Sequence, residues 1–376
     1  MEKQTMRPKW VSYLDHYFFA KTRFHTLGLI RIALVVLGAY HIYRRYKLMQ
    51  DITYINAELD SLQEPSFLIK FLSFPFPLEP EYAQTFAYFY YFVAFCAAVG
   101  LFTRPALFIF GLATIYIIDV EVSRGFFNHE ASLTTQTLLI LALAPGSTSF
   151  SVDNLLKWAY RRYKTGTGNL LSAIMGPPAA VWGIKLILIL LASVYFTAGV
   201  SKIRYGGLAW LDGQTLTHYL DGSASPYPEG NKPMFIGPKN VPQKEKWKDG
   251  FGIYTYSYGN RQWSNFWQKV GHAIAANKFL ITAFAVSATL FELSAFLLLL
   301  NGWARVFYLL GAILMHKSIG YLMNLPFVDY QVLCFLLIDW RWVYEHIPFG
   351  YDIKHKLDPV FSRFKFLLTR QTGTSK

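Results

Sequence analysis

The run from Ala179 to Val200 carries a single charge, Lys185, close enough to one end to snorkel. Its length matches the roughly 20 apolar residues that cross a bilayer. It ends on Ala198-Gly199 and is followed at once by Lys202 and Arg204. Two readings of Lys202 are open. It is an interfacial anchor with its amine in the headgroups, or it is an amine kept dry by neighbouring helices and able to act as a base. Composition extends the membrane reading to the whole chain: 53% of residues are hydrophobic and only 16% charged. A soluble domain carries nearer 25% charged residues.

Seven further apolar segments fit spans: 27–43, 86–102, 106–118, 133–144, 279–300, 303–323 and about 328–338. The expected fold is all-α, a polytopic transmembrane bundle of about eight spans. Residues 1–26 form a basic amino-terminal segment, 27–345 the membrane domain and 346–376 a basic tail. Within the membrane domain, 203–278 is polar, aromatic and rich in Pro and Gly, and reads as an external loop with a small extramembrane cap. Residues 145–178 read as a basic loop, and a short amphipathic helix is expected near Ser66–Leu72. The spans at 106–118 and 133–144 are short, so flanking polar groups are expected inside the bundle.

A net charge of +13 raises nucleic acid as a partner, but the basic residues border apolar spans, where the positive-inside rule puts them. Nucleic acid is therefore rejected. The same rule puts both termini in the cytoplasm, in an inner (cell) membrane. Asn128-His129 and Lys202 then emerge on the same, non-cytoplasmic face. Cys96 and Cys334 sit in apolar runs and imply no disulfide framework.

His129 reads either as a headgroup-level loop histidine or as an imidazole that assists a base. His316 and Lys317 stand mid-span, so both are expected to face the bundle interior or a wet cavity. Glu292 has the same status and could pair with Lys317, Arg31 or Lys202. Asn324, before Leu325-Pro326, fits a helix cap. The sequence offers no His-Glu-x-x-His, no cysteine pair, no Gly-rich phosphate loop and no Gly-x-Ser-x-Gly, so metal and serine-hydrolase readings find no support.

Several motifs occur in one order: Gly100-Leu-Phe-Thr-Arg104, Asn128-His129, Ser151-Val-Asp153, Ala198-Gly199 with Lys202, Trp210-Leu-Asp-Gly213, His316, Met323-Asn324 and Phe327. Together they resemble the HTTM (vitamin K-dependent γ-carboxylase-like) membrane domain, over most of the chain. The resemblance implies reduced vitamin K or menaquinol as cofactor, with O2 and CO2 as co-substrates and no metal. It implies Lys202 as the base that deprotonates the hydroquinone and His129 as the group assisting carboxylation of a glutamate. Asn128, His316, Asn324 and Arg204 are the candidate quinol-binding residues. Lipid, quinol and a peptide or protein substrate on the non-cytoplasmic side are the implied partners.

Two departures stand against the family pattern, Phe127 before Asn128 and Ala131 after His129, where the enzymes have Asn and Tyr. The large extramembrane domain that grips the protein substrate in those enzymes is also expected to be missing. The alternative is a non-catalytic protein of the same fold, acting in peptide-toxin maturation, immunity or complex assembly.

Overall fold

A chain in hydrocarbon must satisfy its backbone internally, so apolar runs of this length become helices. The computed structural model describes residues 8–22, 26–52, 70–71, 73, 80–123, 129–220, 265–323, 325 and 327–346. Its helices are α1 (Lys9–Phe19), α2 (Thr26–Ile52), α3 (Pro80–Val99), α4 (Thr103–Ser123), α5 (His129–Leu143), α6 (Val152–Thr165) and α7 (Leu170–Met175). They continue with α8 (Trp182–Gly206), α9 (Gln214–Leu220), α10 (Asn265–Ala276), α11 (Lys278–Leu293), α12 (Trp303–Met323), α13 (Val328–Leu337) and α14 (Trp340–His346). Two short strands, β1 (Lys21–Thr22) and β2 (Ala179–Ala180), pair antiparallel with Lys21 opposite Ala180.

A helix occupies each segment expected to be a span. Among the described residues, four stretches are long and apolar enough to cross a membrane: Thr26–Tyr43, Trp182–Arg204, Lys278–Leu299 and Trp303–Met323. The apolar parts of α3, α5 and α13 are shorter. Helices α4 and α5 reach beyond the expected 106–118 and 133–144 because their polar flanks join the helices. The expected loop 145–178 is instead structured. Ser151 caps α6 by accepting from Asn154 N (3.2 Å), and Gly166 ends it in the left-handed region. Most of the expected 66–72 helix, the segment 221–264 and the tail from 347 lie outside the described residues.

Contacts sort the helix ends into two sets. At one end Tyr17 of α1 donates to Leu299 O (3.1 Å), and Lys185 Nζ stands 3.9 Å from the centre of the Tyr17 ring. The β1–β2 pair joins the starts of α2 and α8 there. Arg31, fully buried, donates to Ser147 O and Phe150 O (2.8 Å each) and to Ala98 O at 3.4 Å. It thus ties α2 to the last turn of α3 and to the turns that follow α5. Gly100 lies beside it with φ 73°, and a Cβ there would stand 2.4 Å from Ser151 Cβ. Only glycine fits that turn.

Asp153 holds the same end. Its Oδ1 accepts from Phe102 N (2.9 Å), and its Oδ2 from Thr103 N (2.8 Å) and Thr103 Oγ1 (2.7 Å). The carboxylate caps the start of α4 from a distance of fifty residues. The Gly100-Leu-Phe-Thr-Arg104 and Ser151-Val-Asp153 motifs are therefore two halves of one clamp.

The opposite end collects the close of α2, α8 and α12 and the start of α5, α11 and α13. There a second small apolar cluster forms from Leu220, Ile281 and Leu322, with Trp267 of α10 stacked on Tyr321 (4.8 Å). The main core runs between the ends through buried side chains such as Leu34, Phe110, Leu138, Leu188 and Leu333.

Candidate functional site

Gly199 sets the site. A Cβ at that position would come within 3.1 Å of Glu292 Cβ and the Leu293 backbone, so α8 and α11 touch backbone to backbone there. One turn on, the same face of α8 brings Lys202 against α11. Lys202 Nζ contacts both carboxylate oxygens of Glu292. The lysine side chain is 23% exposed and the glutamate 9%. Of the three partners open to Glu292, it takes Lys202. The amine is neither a simple headgroup anchor nor an isolated dry base. It is half of a largely buried ion pair.

The 3₁₀ turn Gly207–Asp212 folds back over this pair. The Trp210 ring centre is 5.7 Å from Lys202 Nζ. Trp210 Nε1 is buried and has no hydrogen-bond partner among the described residues. A buried N–H without an acceptor is costly. The arrangement thus presents an indole donor, an ammonium and a carboxylate at one place. A ligand oxygen would satisfy the indole.

His129 opens α5 at the same end as Lys202. Ala144, just past the end of α5, packs against Gly183 at the start of α8, so the two helices run antiparallel. At 1.5 Å per residue, His129 lies about 22 Å from that contact and Lys202 about 28 Å. Their backbones therefore reach similar depth. Asn128, Asn324 and the His129 side chain lie outside the described residues. Arg204 is exposed two residues beyond Lys202.

His316 belongs to a different place. It is 5% exposed, with Nε2 2.7 Å from Tyr195 OH and the ring against Tyr330 (4.9 Å) and Phe327 (5.2 Å). Its Nδ1 is buried without a partner among the described residues. Tyr195 precedes Lys202 by two turns on α8, about 10 Å along the axis, so His316 does not reach the amine. Lys317, expected to face inward with His316, is exposed. Neighbours on a helix point about 100° apart, and only one of the two can enter the bundle.

A third polar group escaped the sequence reading. Asp329, 2% exposed at the start of α13, accepts from Thr134 Oγ1 of α5 and lies 3.0 Å from His41 Nε2 of α2. An acid one residue inside an apolar segment was the available signal. An apolar groove of about 450 Å³, lined by Leu29, Ile32, Ile313, Val332 and Phe335, opens between α2, α12 and α13. It includes neither Lys202 nor His316, so it is not part of either polar site. No group of three or more His, Cys, Asp or Glu side chains is placed to hold a metal among the described residues.

Compared with protein-family models, curated proteins and solved structures, the chain matches none.

Proposed function

We propose that the chain is a membrane enzyme of the vitamin K-dependent γ-carboxylase-like kind, acting on a reduced naphthoquinone at the Lys202–Glu292 pair. The carrying observation is this pair, largely buried beside an indole N–H that lacks an acceptor among the described residues. That donor set fits a hydroquinone oxygen. Trp210 donates to it, and Lys202 takes its proton once Glu292 has accepted the one the ammonium carries. His129 is the assisting group at the same bundle end. When bound, the reduced quinone together with O2 supplies the strong base that glutamate carboxylation needs. The net reaction balances as quinol, O2, a γ-C–H and CO2 giving quinone epoxide, water, a γ-carboxylate and one proton. The bundle has eight spans, lies in the inner membrane with both termini cytoplasmic, and uses the 203–278 segment as a cap toward a peptide or protein substrate.

The test is epoxide formation from vitamin K hydroquinone and O2 by purified protein. Lys202→Ala is expected to lower turnover at least ~100-fold, within the range general acid–base groups contribute. Glu292→Gln is expected to lower it while substrate affinity changes less. Epoxide formation that survives Lys202→Ala removes the assigned base. The second reading is a non-catalytic protein of toxin maturation, immunity or complex assembly. It draws on the same contact, since an amine already gripped by a carboxylate also serves as a tie between α8 and α11. Folded wild-type protein that forms no epoxide favours it.

A further inference from the structure

Helix α6 presents its faces in the opposite sense to a helix packed in water. Asn154 is buried and Trp158 half-buried, its Nε1 donating to Gly168 O (3.1 Å). Leu155, Leu156, Tyr160 and Tyr163 are exposed, Leu156 by 57% and Tyr163 by 89%. With about 100° between residues, Val152, Leu155, Leu156, Ala159 and Tyr163 share one stripe. Lys157, Arg161 and Lys164 lie on the far side, and Arg162 borders the stripe. An exposed apolar stripe of this kind marks a membrane or partner surface.

The height of α6 is fixed. Asp153, in its first turn, caps α4, and Asp153 N donates to Gly100 O (3.0 Å). The helix therefore lies at the level where α4 enters the bundle. Helix α1 is anchored at the same end through Tyr17 and exposes Trp10, Tyr13, Leu14 and Phe19.

We infer that α6 lies in the membrane surface and binds anionic phospholipid headgroups, its apolar stripe inserted and Lys157, Arg161, Arg162 and Lys164 against the phosphates. Charge complementarity selects this occupant. The helix carries four basic residues and one acid, and that acid is already engaged as a cap. The inference rests on the chain's residence in a membrane and not on the quinol chemistry. A chain that stays in solution without detergent would defeat the membrane reading itself, a result separate from those that follow.

The experiment uses full-length protein in detergent, titrated with phosphatidylglycerol, phosphatidylcholine or inorganic phosphate while thermal unfolding is followed. Phosphatidylglycerol is expected to raise the midpoint, and the other two to leave it unchanged. In the variant Lys157→Gln/Arg161→Gln/Arg162→Gln/Lys164→Gln, the half-saturating phosphatidylglycerol concentration should rise about fivefold per charge removed. Its midpoint in phosphatidylcholine should fall only slightly below wild type, by the small share Lys157 adds to the hold on Asp153, because these side chains are exposed. An unchanged phosphatidylglycerol response in the variant overturns the inference, as does stabilisation by phosphate alone. A second measurement does not depend on that variant. A fluorophore on Leu156→Cys, read against the buried Cys96 and Cys334, should be quenched by lipids carrying a nitroxide near the headgroup. A label that remains in water, unquenched, overturns insertion and gives the face to a protein partner.

Discussion

At the residue scale, the Lys202–Glu292 pair has an energetic consequence that is independent of catalysis. Removing one member of a buried ion pair strands the other charge, at a cost of about 3–5 kcal/mol, whereas replacing both with apolar groups is often neutral. Glu292→Leu and Lys202→Met are each expected to destabilise the protein strongly, with much of the loss restored in the double variant. Pulse proteolysis of the four proteins in detergent measures the coupling. Additive losses would mean that the two charges do not meet. Both residues were legible in the sequence because an ionisable group in an apolar helix is conspicuous. Tyr195 was not, since an aromatic at helical spacing looks like ordinary core. Trp210 drew attention only through a motif, and the place of its indole N–H depends on how the 3₁₀ turn folds back, which no local pattern encodes.

Among the elements, the clamp at the start of α4 is the sharpest local device. Partial burial pulls the Asp153 pKa upward, but hydrogen bonds from Thr103 N, Thr103 Oγ1 and Phe102 N, with Lys157 nearby, outweigh it and hold the carboxyl below the ordinary Asp value. A depressed folded-state pKa stabilises above the unfolded value, and the contribution disappears as acid carries the group through the folded one. Asp153→Asn should therefore cost about 0.5–2 kcal/mol at neutral pH, as lost caps do. Thermal midpoints taken across pH should show the gap to wild type closing below about pH 4, the ordinary Asp range. A gap that persists in acid would contradict the charge's role. The eight apolar segments could be read as helices from length alone, but α6 could not. Its basic residues suggested a loop, and the stripe at 152, 155, 156, 159 and 163 went uncounted because it is short and broken by arginines.

For the whole molecule, the strongest consequence of the proposed eight-span bundle is that its two ends would lie on opposite sides of a bilayer. The end holding α1, α6 and the β1–β2 pair carries Lys157, Arg161, Arg162 and Lys164, and in the proposed orientation, which follows the charge rule, it faces the cytoplasm. The end holding Lys202, α9 and α10 would then face away from it. Arg161→Cys and Gln214→Cys each introduce an exposed thiol at one end, and Cys96 and Cys334 are too buried to compete. In right-side-out vesicles, a membrane-impermeant maleimide should label Gln214→Cys at once and Arg161→Cys only after permeabilisation. Labelling of both from outside would mean that α8, whose length joins the two ends, does not cross, and the eight-span bundle would fall with it. The reverse pattern would leave the bundle standing and invert it, putting the Lys202–Glu292 pair on the cytoplasmic face. A substrate presented outside the cell could not then reach that pair, so the labelling result also constrains the chemistry proposed for it.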